Sequence, residues 1–250
     1  MSKGIILDLC GGTGSWSLPY KENGFDVRVI TLPDNDVNEV FFIADKLYFR
    51  SDSFEEMVVD IKDIYGVLAA PPCTMFSDAR TKAKEPRNLQ KGFGIVHACL
   101  SVIWELQYRT KSDQQKYSPL KFWALENPWY GRLKWFLGSP KFTFSPWEFG
   151  DAYKKKTAVW GYFNEPIKTV TDIKTVTDIK TVLTAEQMEK HKTNSQVLPK
   201  FDYMKSGDIA PEWFGKLDRQ ARRAITPKGF AQAFYKANSL ALKEGKKGKK

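Results

Sequence analysis

Three short stretches carry residue types able to do chemistry. In "AAPPCTMFS" (69–77), Cys73 follows Pro71 and Pro72 at the end of an apolar run. A thiol in that place is a buried filler, a metal ligand or a nucleophile. The two prolines remove backbone donors and stiffen the approach to the sulfur, which favours the nucleophile. In "FWALENPWYG", an apolar run ends in Glu126. A carboxylate there is costly to desolvate unless it has a partner or a task; the plainer reading is a surface acid at a turn. In "DLCGGTGSW" (8–16), glycines 11, 12 and 14 let the backbone turn tightly and approach a ligand closely. Such a turn serves NAD, FAD, nucleotide and S-adenosylmethionine sites alike. Without a Gly-Lys-Ser/Thr ending, a phosphate-cradling loop is disfavoured. Cys10, Cys73 and Cys99 with His97 and His191 contain no Cys-x-x-Cys pair, so a structural metal site has poor support and none is expected.

The elements around these stretches must position them. "GIILDLC", "FDVRVITL", "VNEVFFIAD", "DIYGVLAAPPC" and "PLKFWALENP" read as strands. "SFEEMVVDIKD" (53–63) and "FGIVHACLSVIWELQYRT" (93–110) read as helices, the second with apolar residues at helical spacing. "TPKGFAQAFYKANSLALKE" is an amphipathic helix with Phe230, Ala233, Phe234 and Ala237 on one side. Strands alternating with helices predict an α/β fold with a doubly wound, mostly parallel sheet. All three stretches then fall at strand carboxyl ends, where such sheets gather ligands.

The chain has 250 residues, 42% of them apolar and 14% aromatic, enough to bury a core. Its net charge of +10 favours polyanionic partners, nucleic acid first and an anionic membrane surface second. Its apolar runs are far shorter than the roughly 20 residues of a spanning helix. With sparse cysteines and a start that reads as a strand rather than a signal peptide, a reducing cytoplasm is the expected compartment. The tail "KEGKKGKK" (243–250) is either a solubilising end or an arm adding non-specific affinity. The repeat "IKTVTDIKTVTDIKTVLT" (167–184) has a period of six, which keeps each side chain on its own strand face. The aromatic-rich stretch 123–149 serves either core packing or base stacking.

Taken together, the motifs resemble the cytosine-5 DNA methyltransferases, in a small phage-type or mobile-element form. "PPCTMFS" matches the family nucleophile motif Pro-Pro-Cys-x-x-Phe-Ser, and "ENP" keeps Glu126 and Asn127 of Glu-Asn-Val. "DLCGGTGSW" is similar to Asp-Leu-Phe-x-Gly-x-Gly-Gly, with Cys10 in place of the aromatic and Ser15 in place of a glycine. "FGDAYKKKTAVWG" fills the slot of the basic Gln-x-Arg-x-Arg motif with Tyr153, Lys155 and Thr157, and "RAITP" (223–227) is similar to Arg-x-Leu-Thr-Pro. "KANS" matches the final motif loosely around Asn238.

The resemblance implies a catalytic core over 1–161, a small target-recognition region over 162–222 and a C-terminal helix over 223–242 that returns to the core. It implies Cys73 as nucleophile, Glu126 as the acid on the ring, and Lys155 in place of the catalytic arginine. S-adenosylmethionine would be held by Asp8, Cys10, Gly12, Thr13, Gly14, Ser15, Trp16, Asp34, Asp45, Pro71 and Asn238. Asp8 would organise the loop, Trp16 pack on the cofactor, Asp45 accept from the adenine amine and Asp34 face the ribose. The implied substrate is a cytosine flipped out of duplex DNA by a monomeric enzyme, with a loop after Cys73 closing over the base. A cytosine-5 methyltransferase acting on RNA, and a degenerate nucleic-acid-binding protein of the same fold, stay open as alternatives.

Overall fold

The computed structural model describes residues 2–50, 56–78, 85–112, 120–151, 153–171, 216–217 and 219–239. The hexapeptide repeat beyond residue 171, most of the expected recognition region, residues 79–84 of the expected closing loop and the basic tail lie outside the described residues.

Short β-branched and apolar runs form the central strands: β1 (Ile5–Leu9), β2 (Asp26–Ile30), β6 (Ile64–Ala69) and β7 (Phe122–Pro128). They pair in parallel in the order β2-β1-β6-β7. Beyond β7 the sheet continues antiparallel through β9 (Thr157–Tyr162) to β8 (Phe142–Phe144). The chain is therefore α/β, built on a mixed, mostly parallel six-stranded sheet.

Alternation along the strands loads both faces, as expected for strands with a core on each side. Ile6, Leu68, Phe122, Ala124 and Val159 face one way. There they meet Tyr20 of α1 (Leu18–Glu22) and Phe230 and Phe234 of α5 (Lys228–Asn238). Phe144 and Phe230 stack with ring centres 3.7 Å apart. Leu7, Leu9, Val67, Ala69 and Leu125 face the other way, onto Val96, Cys99, Val102 and Leu106 of α2 (Leu89–Ser112). Two further short helices, α3 (Lys134–Leu137) and α4 (Arg219–Ala224), follow β7 and precede α5. No helix among the described residues is long and apolar enough to cross a membrane.

The helix expected over 53–63 is corrected by the structure. Met57–Asp60 is a strand, β5, in a separate antiparallel sheet with β3 (Val40–Ile43) and β4 (Lys46–Phe49), followed by a 3-10 turn over Ile61–Asp63. Val59 pairs with Leu47, and both are buried with Phe49 and Ile61 in the core that α2 covers. That burial overrides the local helical preference of the Glu-Glu-Met run. The link from β2 to β6 is a small sheet where a helix was expected.

Candidate active site

Asp8 on β1 is fully buried and anchors the glycine turn. One carboxylate oxygen accepts from the Ser17 hydroxyl at 2.5 Å; the other has no hydrogen-bond partner among the described residues. Burial pushes its pKa up to about 6 against the opposing pull of Ser17. Gly11 crosses directly over it, and a Cβ at that position would collide with the carboxyl group. Cys10, Gly12 and Gly14 then take positive φ angles of 57°, 56° and 69°, with Cys10 N–H donating to the Ile30 carbonyl at 2.7 Å. Open space lies in front of Gly12, and the Thr13 and Ser15 hydroxyls bond to each other beside it. A turn with bare backbone facing open space and a buried carboxylate beneath it fits a ligand that approaches the main chain closely. The Cys10 and Cys99 sulfurs lie 3.9 Å apart.

The charge on Asp8 has a stability consequence with a definite sign. The folded chain holds the Asp8 proton to about pH 6, whereas the unfolded chain releases it near 3.8. Between those values the folded state binds more protons, so stability falls as pH rises and the loss is complete above about pH 6, at roughly 3 kcal/mol. Asp8→Asn is expected to raise the urea midpoint at pH 7.5 and leave it nearly unchanged at pH 3.5. Equal destabilisation at both pH values would contradict this account.

β6 delivers the thiol. After Ala69, the Ala70 N–H donates to Leu9 O at 2.9 Å, Pro71 is buried, and Cys73–Met75 forms one 3-10 turn. The Phe76 and Ser77 N–H groups donate to the Cys73 carbonyl at 2.9 and 2.8 Å, and Phe76 plugs the core below. Cys73 itself is half-buried. The start of α2 braces this turn from beneath. Asn88 caps the helix through the Lys91 N–H at 2.8 Å, and the Arg87 guanidinium donates to the Met75 carbonyl at 3.0 Å.

Gly92 is required by that contact, since a Cβ there would stand 2.6 Å from the Met75 Cβ. An open helical glycine gains roughly 1 kcal/mol on replacement by alanine. Here the sign reverses: Gly92→Ala is expected to cost about 1–3 kcal/mol by overpacking. A melting temperature at or above that of the parent would disprove the tight fit.

β7 delivers the acid. Glu126 stands opposite Val159 on the sheet face of Phe122 and Ala124. Glu126 as a residue is half-buried, and protein atoms crowd its carboxyl group. Burial pushes its pKa up, and the Lys155 charge draws it partly back. The Lys155 ammonium also donates to the Ile225 carbonyl at 3.3 Å, which brings "RAITP" to the same place. Tyr153 and Thr157 are buried, so of the three residues in the basic slot it is Lys155 that stays accessible. Asp151, whose pKa burial lifts to about 6, accepts from Gly229 N–H at 2.9 Å and fixes the start of α5.

Three sets of bonds stitch the loops into one unit. The Asn127 amide donates to the Pro71 carbonyl at 3.0 Å. Ser77 pairs antiparallel with Gly131, flanked by Asp78 N–H to Tyr130 O at 3.1 Å and Arg132 N–H to Phe76 O at 3.0 Å. Trp129 N–H donates to Lys156 O at 3.0 Å. The strand termini bearing Cys73, Glu126 and Lys155 are thus tied to one another.

Three placements depart from the expected cofactor set. Trp16, only 2% exposed, packs against Phe230 and Phe234 with ring centres 5.9 and 5.4 Å away, so it belongs to the aromatic core. Asn238 lies at the C-terminal end of α5, bonded to Asn164 beyond β9, while Tyr65 at the start of β6 donates to its carbonyl at 3.1 Å. It therefore sits at the opposite end of the sheet from the glycine turn, because α5 runs antiparallel to the parallel strands. Asp45 occupies the tight β3–β4 turn, outside the six-stranded sheet, where its carbonyl accepts from Ile61 N–H at 2.9 Å. Asp34 is exposed beyond the carboxyl end of β2, on the side of the glycine turn.

Sequence reasoning missed the bracing roles of Asn127, Arg87 and Gly92. Only the Pro-bounded "ENP" and a glycine inside an apolar helix hinted at them. Two open hollows of about 430 and 370 Å³ lie along α2 around His97, Ser101 and Glu105, the first bordered by Trp123 of β7 and the second by Val40 and Phe42 of β3. Neither is lined by Cys73, Glu126 or Lys155. No protein-family model matches the chain, and no curated protein matches it either.

Proposed function

We propose that the chain is an S-adenosylmethionine-dependent DNA cytosine-5 methyltransferase with a Rossmann-like, doubly wound core. One observation carries the reading: the half-buried Cys73 turn is hydrogen-bonded through Pro71 and Asn127 to the strand that carries Glu126, whose carboxyl group feels the Lys155 charge. A base extruded from the duplex, at a cost of a few kcal/mol, enters that crevice.

The Cys73 thiolate adds to carbon 6 of cytosine while Glu126 gives its proton to nitrogen 3, so no net charge builds on the ring. The glutamic carbonyl oxygen accepts from the exocyclic amine, a pattern that thymine reverses. Lys155 steadies the base carbonyl, as a point charge rather than a planar fork. Carbon 5, now enamine-like, becomes the nucleophile; S-adenosylmethionine, when bound at the glycine turn, supplies the electrophilic methyl group. The carbon-5 proton then passes to solvent water, the Cys73 thiolate leaves to restore the aromatic ring, and nitrogen 3 returns its proton to the Glu126 carboxylate. Asp8 and the Gly11–Gly14 turn hold the backbone open for close approach, and Asp34 lies within the same end of the sheet.

The deciding experiment incubates the protein and S-adenosylmethionine with duplex DNA containing 5-fluorocytosine, and in parallel with tRNA carrying the same base. The carbon-5 fluorine cannot leave as a cation, so the adduct should persist and map to Cys73 by peptide mass spectrometry. Trapping on tRNA alone would move the assignment to RNA. Trapping on neither, together with intact DNA binding, would leave a nucleic-acid-binding protein with a degenerate site.

A further inference from the structure

The stretch 123–149 divides sharply in the structure. Phe142, Phe144 and Phe149 are buried, whereas Tyr130 and Trp135 are 65% and 71% exposed. These exposed rings do not sit on a slack loop. Their segment is held by the bonds to Phe76, Asp78 and Lys156, and the half-exposed Phe136 packs on Phe76 and Phe93 with centres 6.4 and 5.4 Å away. Cations alternate with the rings. The Arg132 guanidinium lies 5.5 Å from the Trp135 ring centre, and the Lys134 ammonium 4.5 Å from that of Trp129. Asp78 lies 3.8 Å from the Arg132 guanidinium, on the side of the nucleophile turn.

Rigid aromatic faces interleaved with positive charge, on a chain of net charge +10, match what binds unpaired nucleotides. Bases stack on the rings at about 1–3 kcal/mol each, and the cations neutralise phosphates. We propose that Tyr130 and Trp135, with Arg132 and Lys134, form a stacking platform for the DNA nucleotides that flank the target cytosine. This rests on the methyltransferase reading, and it adds where the opened strand is held. The platform follows directly on the Glu126 strand and is paired to the segment after Cys73, so a base extruded into the crevice leaves its neighbours beside these rings. Unstacked neighbours are the cheapest bases to stack elsewhere, which would lower the cost of extrusion.

The test compares the parent with Tyr130→Ala, Trp135→Ala and the double variant. Probes are a 12-nucleotide single-stranded DNA, the same sequence as RNA, the matched duplex, a duplex mismatched at the target, and anionic phospholipid vesicles. Each ring removed should weaken single-strand and mismatched-duplex binding about 5- to 100-fold and leave the salt slope unchanged, because phosphate contacts are untouched. Trp135→Phe and Tyr130→Phe should retain most of the affinity, which separates stacking from general damage. Parent-like binding by both alanine variants would overturn the platform, as would a loss seen only on vesicles or only on RNA. If the alanine variants lose single-strand affinity but the parent never forms a Cys73 adduct, the platform stands and the methyltransferase reading fails. An adduct with no effect of the variants gives the reverse.

Discussion

Cys73→Ala is expected to abolish adduct formation and to lower methyl transfer by roughly 10⁴-fold or more, the scale seen when a covalent nucleophile is removed. DNA affinity should stay within about twofold, since the phosphate contacts that dominate it are untouched. The fold should tolerate the change. The turn is held by its backbone, through the Cys73 carbonyl to Phe76 and Ser77, and by the Pro71–Asn127 bond. The other cysteines supply controls within the same chain. Contact with Cys10 and burial push the Cys99 thiol well above its usual value, so it is poorly suited to attack. Cys99→Ala should therefore trap 5-fluorocytosine at the parental rate, after allowance for any loss of stability from the small cavity. An adduct that survives in Cys73→Ala, or that maps to Cys10, would remove the foundation of the proposed mechanism.

The parts of this site that were legible in the sequence are those whose cause is local. β1, β6 and β7 are apolar because both faces of the sheet are covered, and each run ends in a residue that cannot continue it: the glycines after Cys10, Pro71, and Pro128. Those stops fix the strand ends, and the strand ends fix where Cys73 and Glu126 stand. What was not legible depends on partners distant in the chain. Met57–Asp60 carries a helical local preference and becomes a strand only because Leu47 and Val59 share a buried pair. β9 follows three consecutive lysines, and its pairing with β7 comes from a segment some 30 residues earlier. Trp16 looks like a cofactor lid beside the glycine turn, yet Phe230 and Phe234 arrive from the far end of the chain to bury it. Asn238 follows the same logic: its helix was legible, but the direction in which that helix crosses the sheet was not.

Those distant partners also explain why separated residues can behave as one site. The Asn127 amide reaches the Pro71 carbonyl across 56 positions of sequence, and Lys155 reaches Ile225 across 70. The first ties the thiol turn to the strand of Glu126, and the second ties the Lys155 ammonium to the segment before α5.

Glu126 should set the alkaline limit of the reaction, and Lys155 should set where that limit falls. Only the protonated acid can give nitrogen 3 its proton, so the rate falls as pH rises through the Glu126 pKa. Burial raises that pKa and Lys155 lowers it. The sign for each variant follows. Lys155→Met removes the charge that favours the carboxylate, so the alkaline limb should move to higher pH even as the maximal rate drops through loss of the contact to the base. Glu126→Gln keeps a donor for nitrogen 3 and an acceptor for the amine, but has no proton to transfer. Cytosine binding should survive while kcat falls about 10²- to 10⁴-fold, and the limb assigned to Glu126 should vanish from the pH profile. Glu126→Ala should raise KM as well, because both hydrogen bonds to the ring are lost and Lys155 keeps a charge with no carboxylate beside it. If Glu126 and Lys155 formed only a structural ion pair, the glutamine variant would change the melting temperature and leave the pH profile of the surviving activity as it was. Adduct formation measured from pH 5 to 9 on the parent and the three variants separates the two roles.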